Sequence, residues 1–287
     1  MFYLKSGQWK EKVTLKLKQI QTIILEEVMK ALITGASSGL GWEMANVLSE
    51  KGYDIIAVAR RKERLLELKN KLKTNVEPLC LDVTKAEDIE KIVSSLDNVD
   101  IFINNAGFGV FGDLCSSDLE KELNMIDTNV RAVHVLTKLV ARKFKEKNKG
   151  YIMNVASIAA FFPGPLFSAY YASKAYVFRL TQALYEELRR EKSNVVVSVL
   201  CPGPVKTEFE NVAKVSFGNG NEPGRNLIIA DKRKVSEYAI EKMLKGKHII
   251  IPGTLMKIAV FARRILPEKM LCKILFLLQS KKFHSAN

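Results

Sequence analysis

The chain has 287 residues, of which 47% are hydrophobic and 26% charged, and its formal net charge is +14 at pH 7. This composition excludes a disordered or fibrous protein and is typical of one large globular domain with extensions. Four cysteines and three histidines are scattered without metal-ligand or disulfide spacing, so we expect reduced thiols and no metal site.

The N-terminal segment 1–28 allows two interpretations. Apolar residues recur at helical spacing from Val13 to Ile24, which predicts a short amphipathic helix. Alternatively, Met29 is the true start, because the first predicted strand follows it at once; we favour this second interpretation. Charged residues are mixed through the segment and it lacks the apolar core of a signal peptide, so we expect a cytoplasmic protein.

After residue 29, short apolar runs alternate with amphipathic stretches. Runs typical of buried strands cover 30–35, 54–59, 76–81, 99–104, 151–157, 195–200 and 248–253. Helical patterns between them cover 42–51, 61–72, 86–96, 119–145, 168–190 and 235–244. Continuous apolar strands separated by helices indicate a parallel sheet covered on both faces. We therefore predict one α/β domain over 29–253, a doubly wound (Rossmann) seven-stranded parallel sheet with helices on both faces.

The stretch TGASSGLG (34–41) connects the first strand to the first helix. Gly35, Gly39 and Gly41 permit a tight turn and a close approach of the backbone to a ligand, and the helix N-terminus offers free N–H groups to a pyrophosphate. Glycines in a turn are most often only turn formers, but the strand–turn–helix context favours a nucleotide site. The predicted binding surface also includes Ser37, Ser38 and Leu40.

The end of the second strand indicates which cofactor is bound. In VARRKER, Arg60 and Arg61 stand where NAD-binding sites carry an acidic residue. An arginine pairs with a 2′-phosphate, which a carboxylate would repel. The other interpretation is a solvated basic helix start, which suits some of Arg61, Lys62 and Arg64. Position favours Arg60, and we predict NADP(H) in preference to NAD(H).

Five further motifs follow in order along the chain. They are NNAG (104–107), TNV (128–130), NVAS (154–157), YYASK (170–174) and CPGPVKTEF (201–209). Together with TGASSGLG they closely resemble the short-chain dehydrogenase/reductase family, whose compact oxidoreductase subgroup has the same GxxxGxG spacing. The resemblance spans about residues 29–253, and ordered motifs are far more specific than any one of them.

The family has a Tyr-x-x-x-Lys pair, which Tyr170 and Lys174 match, whereas Tyr171 is expected to pack against or line the pocket. Geometry alone does not choose between the tyrosines, because residues three and four apart lie on nearly the same helix face. The resemblance implies that Tyr170 is the general acid/base, that Ser157 orients the substrate oxygen, and that Asn129 holds a proton-relaying water. Lys174 would bind the nicotinamide ribose and, with the positive charge of the oxidised nicotinamide, lower the phenol pKa from about 10.

Each of these residues also has a simpler interpretation. Taken alone, Ser157 is a helix cap and Asn129 a residue that hydrogen-bonds the backbone. In the company of Tyr170 and Lys174 we favour catalytic roles. The resemblance further implies cofactor contacts by Asp82, Val83, Asn105, Ala106 and Gly107 around the adenosine, and by Pro202, Gly203, Val205 and Thr207 around the nicotinamide.

A flexible segment, a pocket wall of two segments and the C-terminal tail bear on substrate access. Residues 208–230, rich in Gly and Asn, form either a lid over the substrate or a variable surface loop. The pocket wall is expected from 108–113 and 158–167, whose aromatic and aliphatic residues favour an apolar carbonyl compound. The tail 254–287 departs from the compact subgroup and resembles tails of ketoacyl- or steroid-reductase-like members.

The tail carries much of the positive charge. From residue 247 onward there are eight Lys or Arg residues and one acidic residue, interleaved with apolar side chains, which points to an anionic lipid surface before nucleic acid. Three interpretations stay open: a lid over an apolar substrate, an oligomer contact, or a helix pair lying on a membrane surface. No apolar run reaches the roughly 18 residues of a spanning helix.

We therefore expect an NADPH-dependent carbonyl reductase, or the reverse alcohol dehydrogenase. The alternative is a non-catalytic NADPH-binding or sensing protein, since this fold can serve that way, with membrane association suggested by the tail alone. The complete set of Asn129, Ser157, Tyr170 and Lys174 argues against a pure binding protein. The resemblance also implies a homodimer or homotetramer, paired through the helices predicted at 119–145 and 168–190.

Overall fold

The structure is a computed structural model, which describes residues 29–206, 208 and 230–283. The interpretations of residues 1–28 and of Thr207 therefore lie outside the described residues, as does nearly all of the segment 208–230 expected to act as a lid.

Seven parallel strands form a single sheet, as predicted. They are β1 Lys30–Thr34, β2 Asp54–Ala59, β3 Val76–Cys80, β4 Ile101–Asn104, β5 Tyr151–Val155, β6 Val196–Leu200 and β7 Ile249–Ile250. Their order across the sheet is β3-β2-β1-β4-β5-β6-β7. Strands β2 and β3 therefore lie on one side of β1 and the last four strands on the other, so the strand order reverses between β1 and β4. Strand β7 is shorter than the predicted 248–253, because Pro252 has no N–H to donate and Gly253, at φ +86°, turns the chain into the next helix.

Nine α-helices accompany the sheet among the described residues. They are α1 Gly39–Glu50, α2 Lys62–Lys71, α3 Ala86–Ser94, α4 Leu119–Ile126, α5 Val133–Lys147, α6 Ser168–Arg190, α7 Lys232–Leu244, α8 Thr254–Ala262 and α9 Glu268–Phe283. Alternate residues of β1 point to opposite faces. Ile33 packs with Met44 of α1 and Met243 of α7, whereas Leu32 packs with Ile92 of α3 and with residues of α5. The two cores confirm that helices cover both faces.

The helix predicted at 119–145 is interrupted. A π-helical turn, Asp127–Ala132, separates α4 from α5 and contains the TNV motif. Such a turn adds one residue to a helical repeat and is frequent at functional sites. Apolar residues such as Met125 and Val133 remain buried on either side, so the hydrophobic pattern hides the insertion.

The tail folds as the two helices α8 and α9. Helix α8 has no buried residue, while α9 buries Leu271 and Gln279. Contacts of both helices hold the tail on the domain. Met256 of α8 packs against Gly203, Lys257 donates to the Tyr238 hydroxyl at 3.2 Å, and the Arg263 guanidinium donates to the carbonyl oxygen of Phe161. From α9, Gln279 donates to the Tyr171 hydroxyl at 3.0 Å. Of the helices in the described ranges, none is both long and apolar enough to span a membrane.

Candidate active site

A cavity of about 610 Å³ lies at the carboxyl edge of the sheet, where ligands bind in open parallel α/β folds. Most of the residues predicted for catalysis or cofactor binding line it together: Gly35, Ser37, Ser38, Gly39, Leu40, Arg60, Asp82, Val83, Asn105, Ala106, Gly107, Ser157, Tyr170, Lys174, Pro202, Gly203 and Val205. Gly41 and Asn129 lie behind this wall.

The glycine loop depends on glycine at defined positions. Gly35 and Gly39 have φ of +68° and +57°, in the left-handed region that favours glycine. A Cβ on Gly41 would lie 2.4 Å from the carbonyl oxygen of Gly35 and 2.5 Å from Nδ2 of Asn105. The loop therefore packs backbone against backbone, and it leaves the N-terminal N–H groups of α1 beside the cavity.

Thr34, for which the sequence predicted no role, joins this loop to the end of β4. Its buried hydroxyl accepts hydrogen bonds from the N–H groups of Asn105 at 3.0 Å and Ala106 at 3.1 Å. The Asn105 side chain in turn donates to the carbonyl oxygens of Thr34 and Gly35. The position of Thr34, directly before the glycine loop, was the only sequence feature that pointed to it.

Basic residues after β2 surround Ser37 of the glycine loop. The Arg61 guanidinium donates to Ser37 Oγ from Nε at 3.3 Å and from Nη2 at 3.2 Å. Its Nη1 pairs with Glu208 at 2.8 Å, and an Arg64 nitrogen lies 3.9 Å from the other oxygen of that carboxylate. Arg60, favoured from the sequence, and Arg61 both line the cavity. Arg61 contacts the glycine loop, as does Arg64, whose Nε donates to the Ser37 carbonyl oxygen at 3.4 Å. Glu208 was not predicted.

The end of β3 forms another part of the wall. Asp82 Oδ1 accepts hydrogen bonds from the N–H and hydroxyl of Thr84 at 3.0 and 2.8 Å, which shapes the turn after the strand. Val83 is buried in the same hydrophobic core as Leu32 and Ile92. Asp82 and Val83 both line the cavity, and their contact with the adenosine stays a prediction.

Tyr170 lies at the start of α6, where it is buried and hydrogen-bonded to the side chain of Ser157. The ring of Phe167 stacks on the Tyr170 ring at a centroid distance of 4.4 Å and fixes its orientation. Ser157 Oγ also accepts a hydrogen bond from the N–H of Ala159 at 3.1 Å, so it caps a short 3-10 turn, Ile158–Phe161. Ser157 thus makes both the predicted cap and a direct contact with the phenol.

Burial is the largest influence on the pKa values of Tyr170 and Lys174. It raises the pKa of Tyr170 above the ordinary 10.0, against the opposing effect of the hydrogen bond with Ser157. It lowers the pKa of Lys174 from 10.5 to about 8. Lys174 Nζ donates to the carbonyl oxygen of Val155 at 3.0 Å and lies 5.8 Å from the centre of the Tyr170 ring. The expected lowering of the phenol pKa is therefore not produced by the protein's own groups, and Tyr170 is protonated at neutral pH.

Asn129, in the π-helical turn, is fully buried behind Lys174. Its side chain donates to the carbonyl oxygen of Phe108 at 2.8 Å and to Ser173 Oγ at 3.2 Å, and it accepts from the Phe108 N–H at 3.1 Å. A Cβ on Gly107 would lie 2.9 Å from Asn129 Oδ1 and 3.3 Å from Lys174 Nζ. Asn129 therefore fixes the chain at Gly107 and Phe108 beside the lysine.

Tyr171 forms the outer wall, one ring beyond Tyr170. The two rings meet edge to face with centroids 6.2 Å apart. Burial raises the pKa of Tyr171 to about 12, opposed by a hydrogen bond that its hydroxyl accepts from Gln279 Nε2 at 3.0 Å. Aromatic residues of the predicted wall segments, including Phe111 and Phe167, complete this side. Gln279 of α9 lines the cavity too; the sequence left a lid role open for the tail but did not single out this residue.

No metal-binding cluster accompanies the cavity in the part of the chain that the structure describes: no three His, Cys, Asp or Glu side chains come close enough to share an ion. The polar groups beside Tyr170 that can take part in chemistry are the Ser157 hydroxyl and the Lys174 ammonium group.

Comparisons with known proteins show the family of the chain. The profile of the family described as short chain dehydrogenase matches residues 29–215. The NADP-dependent 3-hydroxy acid dehydrogenase YdfG of Escherichia coli is 34% identical over 216 residues, which cover 73% of this chain and 86% of that protein.

Two solved structures share the fold. A short-chain dehydrogenase from Sphingobium yanoikuyae in complex with NADPH is 28% identical with a TM-score of 0.72, and the match covers 82% of this chain and 93% of that one. A short chain dehydrogenase/reductase from Burkholderia phymatum in complex with NAD is 24% identical with a TM-score of 0.73, covering 82% of this chain and 92% of that one. The chain therefore belongs to the short-chain dehydrogenase/reductase family, as its motifs predicted, and is an NAD(P)-binding oxidoreductase.

Proposed function

We propose that this protein is an NADPH-dependent carbonyl reductase, or the alcohol dehydrogenase that runs in reverse, with Tyr170 as the general acid/base. The observation that carries the proposal is the buried contact of Tyr170 with Ser157 beside Lys174, in a cavity that also holds Arg61 and Ser37. Tyr170, the proposed acid, and the basic residues suited to a phosphate thus line the same cavity.

The residues present fit a dinucleotide. The ends of β2 and β5 are separated by β1 and β4, so the basic residues and Ser157 lie roughly 14 Å apart at about 4.8 Å per strand. Between them the glycine loop and the N-terminus of α1 would hold the pyrophosphate. We assign the pyrophosphate to Gly35 and Gly39, and the nicotinamide side to Pro202, Gly203 and Lys174.

The cofactor preference rests on Arg61, with Arg60 beside it. A guanidinium held against Ser37 offers charge-assisted hydrogen bonds to a 2′-phosphate, and no carboxylate of β2 occupies that place. The NADP-dependent relative from Escherichia coli and the NADPH complex from Sphingobium yanoikuyae support this choice. The bound nicotinamide would supply the hydride for reduction, or accept it in the reverse direction.

The protein's own groups then handle the proton. In reduction, Tyr170 is protonated because burial raises its pKa, so it can donate to the carbonyl oxygen as negative charge develops there. Ser157 hydrogen-bonds the same oxygen and holds it in place. Lys174, with a pKa of about 8, is mostly protonated at neutral pH and stabilises the phenolate that forms.

Asn129 is a positioning residue in this scheme, since its side chain is committed to Phe108 and Ser173. The water relay that the family resemblance implied stays a prediction. The substrate would enter past Phe111, Phe167 and Tyr171, an aromatic wall that favours an apolar carbonyl compound.

The test is NADPH consumption against ketones, aldehydes, β-ketoacyl thioesters and ketosteroids. Tyr170→Phe removes the proton donor and keeps the ring, so kcat should fall at least about 100-fold. Tyr171→Phe is the matched control and should retain kcat within about threefold. Full activity in Tyr170→Phe, with loss in Tyr171→Phe, would transfer the catalytic role to the second tyrosine.

We further propose that the tail touches an anionic membrane surface. Large apolar side chains of α8 and of the turn after it are exposed, including Ile258, Phe261 and Ile265, and Arg263 and Arg264 lie among them. Exposed apolar residues with adjacent basic residues suit an acidic headgroup layer. Flotation with vesicles of phosphatidylserine and phosphatidylcholine should carry the protein, and Phe261→Ser with Ile265→Ser should abolish this. Equal flotation of the double variant would exclude the contact.

A homodimer or homotetramer is the proposed assembly. Leu119, Leu123 and Ile126 on α4 and Tyr176 on α6 are exposed, although apolar side chains of this size are usually covered. Light scattering after size-exclusion chromatography should give a multiple of the chain mass, and Leu123→Glu should reduce it. A parental chain that elutes as a monomer would refute this assembly.

A further inference from the structure

Helix α9 buries the wrong kind of residue for an ordinary amphipathic helix. Gln279 is only 4% exposed, whereas its neighbours Leu277 and Leu278 are 63% and 55% exposed. Glutamine is mostly found at the surface and leucine in the core, so a buried amide next to exposed leucines is an informative exception. Leu275 and Leu271, four and eight residues before Gln279, lie on the same helix face and are half-buried and buried, so hydrophobic burial orients α9 in part. It does not account for an amide at the end of this face, which calls for a specific use of that amide.

Only the nitrogen of the Gln279 amide has a hydrogen-bond partner among the described residues. Its Nε2 donates to the Tyr171 hydroxyl at 3.0 Å, and its Oε1 is buried with no hydrogen-bond partner among the described residues. A buried acceptor without a partner costs free energy, so such groups are rare and call for an explanation. Gln279 and Tyr171 both line the cavity that contains Tyr170 and Ser157. The missing partner of the amide oxygen can therefore come from a molecule in the cavity.

The surroundings define what that molecule is. On this side the wall consists of aromatic rings: Phe111 and Phe167 meet edge to face at 5.6 Å, and Phe167 also contacts Tyr171 at 5.9 Å. An apolar chain or ring suits this wall, and the amide contacts Tyr171, whose ring centre lies 6.2 Å from that of Tyr170. The terminal torsion of a glutamine is broad, so Oε1 can turn toward a ligand. The Tyr171 hydroxyl accepts from Nε2, and a small rotation of the amide keeps this hydrogen bond while it brings Oε1 toward the ligand.

We propose that Gln279 is a substrate-binding residue whose amide oxygen accepts a hydrogen bond from a hydroxyl or N–H group at the end of the substrate remote from the reacting carbonyl. The substrate class is thus an apolar carbonyl compound with a hydrogen-bond donor at its far end. This inference rests on the proposed reductase function. A site that contains a buried hydrogen-bonding group discriminates against an analogue lacking the matching group. Helix α9 is then part of the specificity wall and holds the amide in place.

The experiment compares methyl n-alkyl ketones of increasing length with the same ketones carrying a terminal hydroxyl. For the chain length that fits, the parent should prefer the hydroxylated ketone about tenfold in kcat/KM, which corresponds to about 1.4 kcal/mol. Gln279→Met has nearly the same shape and lacks the amide, so it should lose this preference through a higher KM for the hydroxylated ketone only. Leu278→Met, an exposed position of the same helix, is the matched control and should keep the preference.

Binding of the same ketones to the protein with NADPH, measured by calorimetry, separates the two proposals. If the parent reduces no ketone, the reductase proposal fails, while tighter binding of the hydroxylated ketone that disappears in Gln279→Met still supports this inference. Equal kcat/KM and equal binding of both ketone series by the parent would overturn it. So would a Gln279→Met variant that loses both series equally, since this indicates a structural role. Gln279→Leu replaces the methionine variant if that one does not fold.

Discussion

Replacing Lys174 by methionine should make the protein more stable near neutral pH while abolishing its activity. The side chain is buried and its pKa is lowered from 10.5 to about 8 by that burial. Each pKa unit corresponds to about 1.36 kcal/mol, so holding the ammonium group in the folded protein costs about 3 kcal/mol when it is charged. Methionine has a similar length and carries no charge.

The sign of the pH dependence follows from proton binding. Between pH 8 and 10.5 the unfolded chain keeps the lysine proton that the folded protein has lost, so the free energy of unfolding rises with pH in this window. Below about pH 8 the full cost of burial is present. In the variant the Val155 carbonyl oxygen also loses the donor that Lys174 supplies at 3.0 Å, and this loss offsets about 1 kcal/mol of the gain in stability.

Urea unfolding of the parent and of Lys174→Met at about pH 6.5 and about pH 10 measures the effect. We expect the variant to be about 2 kcal/mol more stable at the lower pH and less than about 1 kcal/mol different at the higher pH. Lys138→Met, at an exposed lysine of α5, is the control and should show no such pH-dependent gain. A Lys174→Met variant that is equally destabilised at both pH values would refute the reasoning, because burial would then not penalise the charge.

Three further predictions concern the cofactor-binding surface. Arg61→Ala should raise KM for NADPH about tenfold with little change in KM for NADH. Lys62→Ala changes a basic neighbour outside the cavity wall and should leave the ratio of the two KM values unchanged. The same ratio in the parent, Arg61→Ala and Lys62→Ala would contradict the assignment. Glu208→Gln removes a carboxylate that competes for Arg61, so KM for NADPH should fall about two- to fivefold, and a rise would mean that the ion pair instead pre-positions the arginine. Gly41→Ala places a methyl group 2.4 Å from the carbonyl oxygen of Gly35, so Tm and the stabilisation by NADPH in a thermal shift assay should both decrease, and parental values would show that the loop relaxes at no cost.

The strands and the site around them could be predicted because buried parallel strands leave a direct trace in the sequence. The apolar run 54–59 coincides with β2, and 195–200 nearly coincides with β6. The carboxyl ends of such strands meet at one edge of the sheet, so motifs that end strands come together. Asn105 and Ser157, which are far apart in the chain, line the same cavity for this reason.

Features that depend on side-chain packing could not be predicted. The π-helical turn at Asp127–Ala132 leaves the apolar positions of α4 and α5 intact, so periodicity predicted one helix. The direction of the Tyr170 pKa shift depends on burial, which opposes the charge effect inferred from the motif. Gln279 reaches the site from a position 108 residues after Tyr171, within a helix whose leucines gave no indication of the buried face.

Hydride transfer from the cofactor can be followed with NADPH that carries deuterium at its transferable hydrogen. With a ketone that the parent reduces, mass spectrometry of the alcohol should find the label on the carbinol carbon, and Tyr170→Phe should form labelled alcohol at least about 100 times more slowly. Alcohol without the label, or label transfer at the parental rate in Tyr170→Phe, would contradict hydride transfer from the cofactor with Tyr170 as the acid.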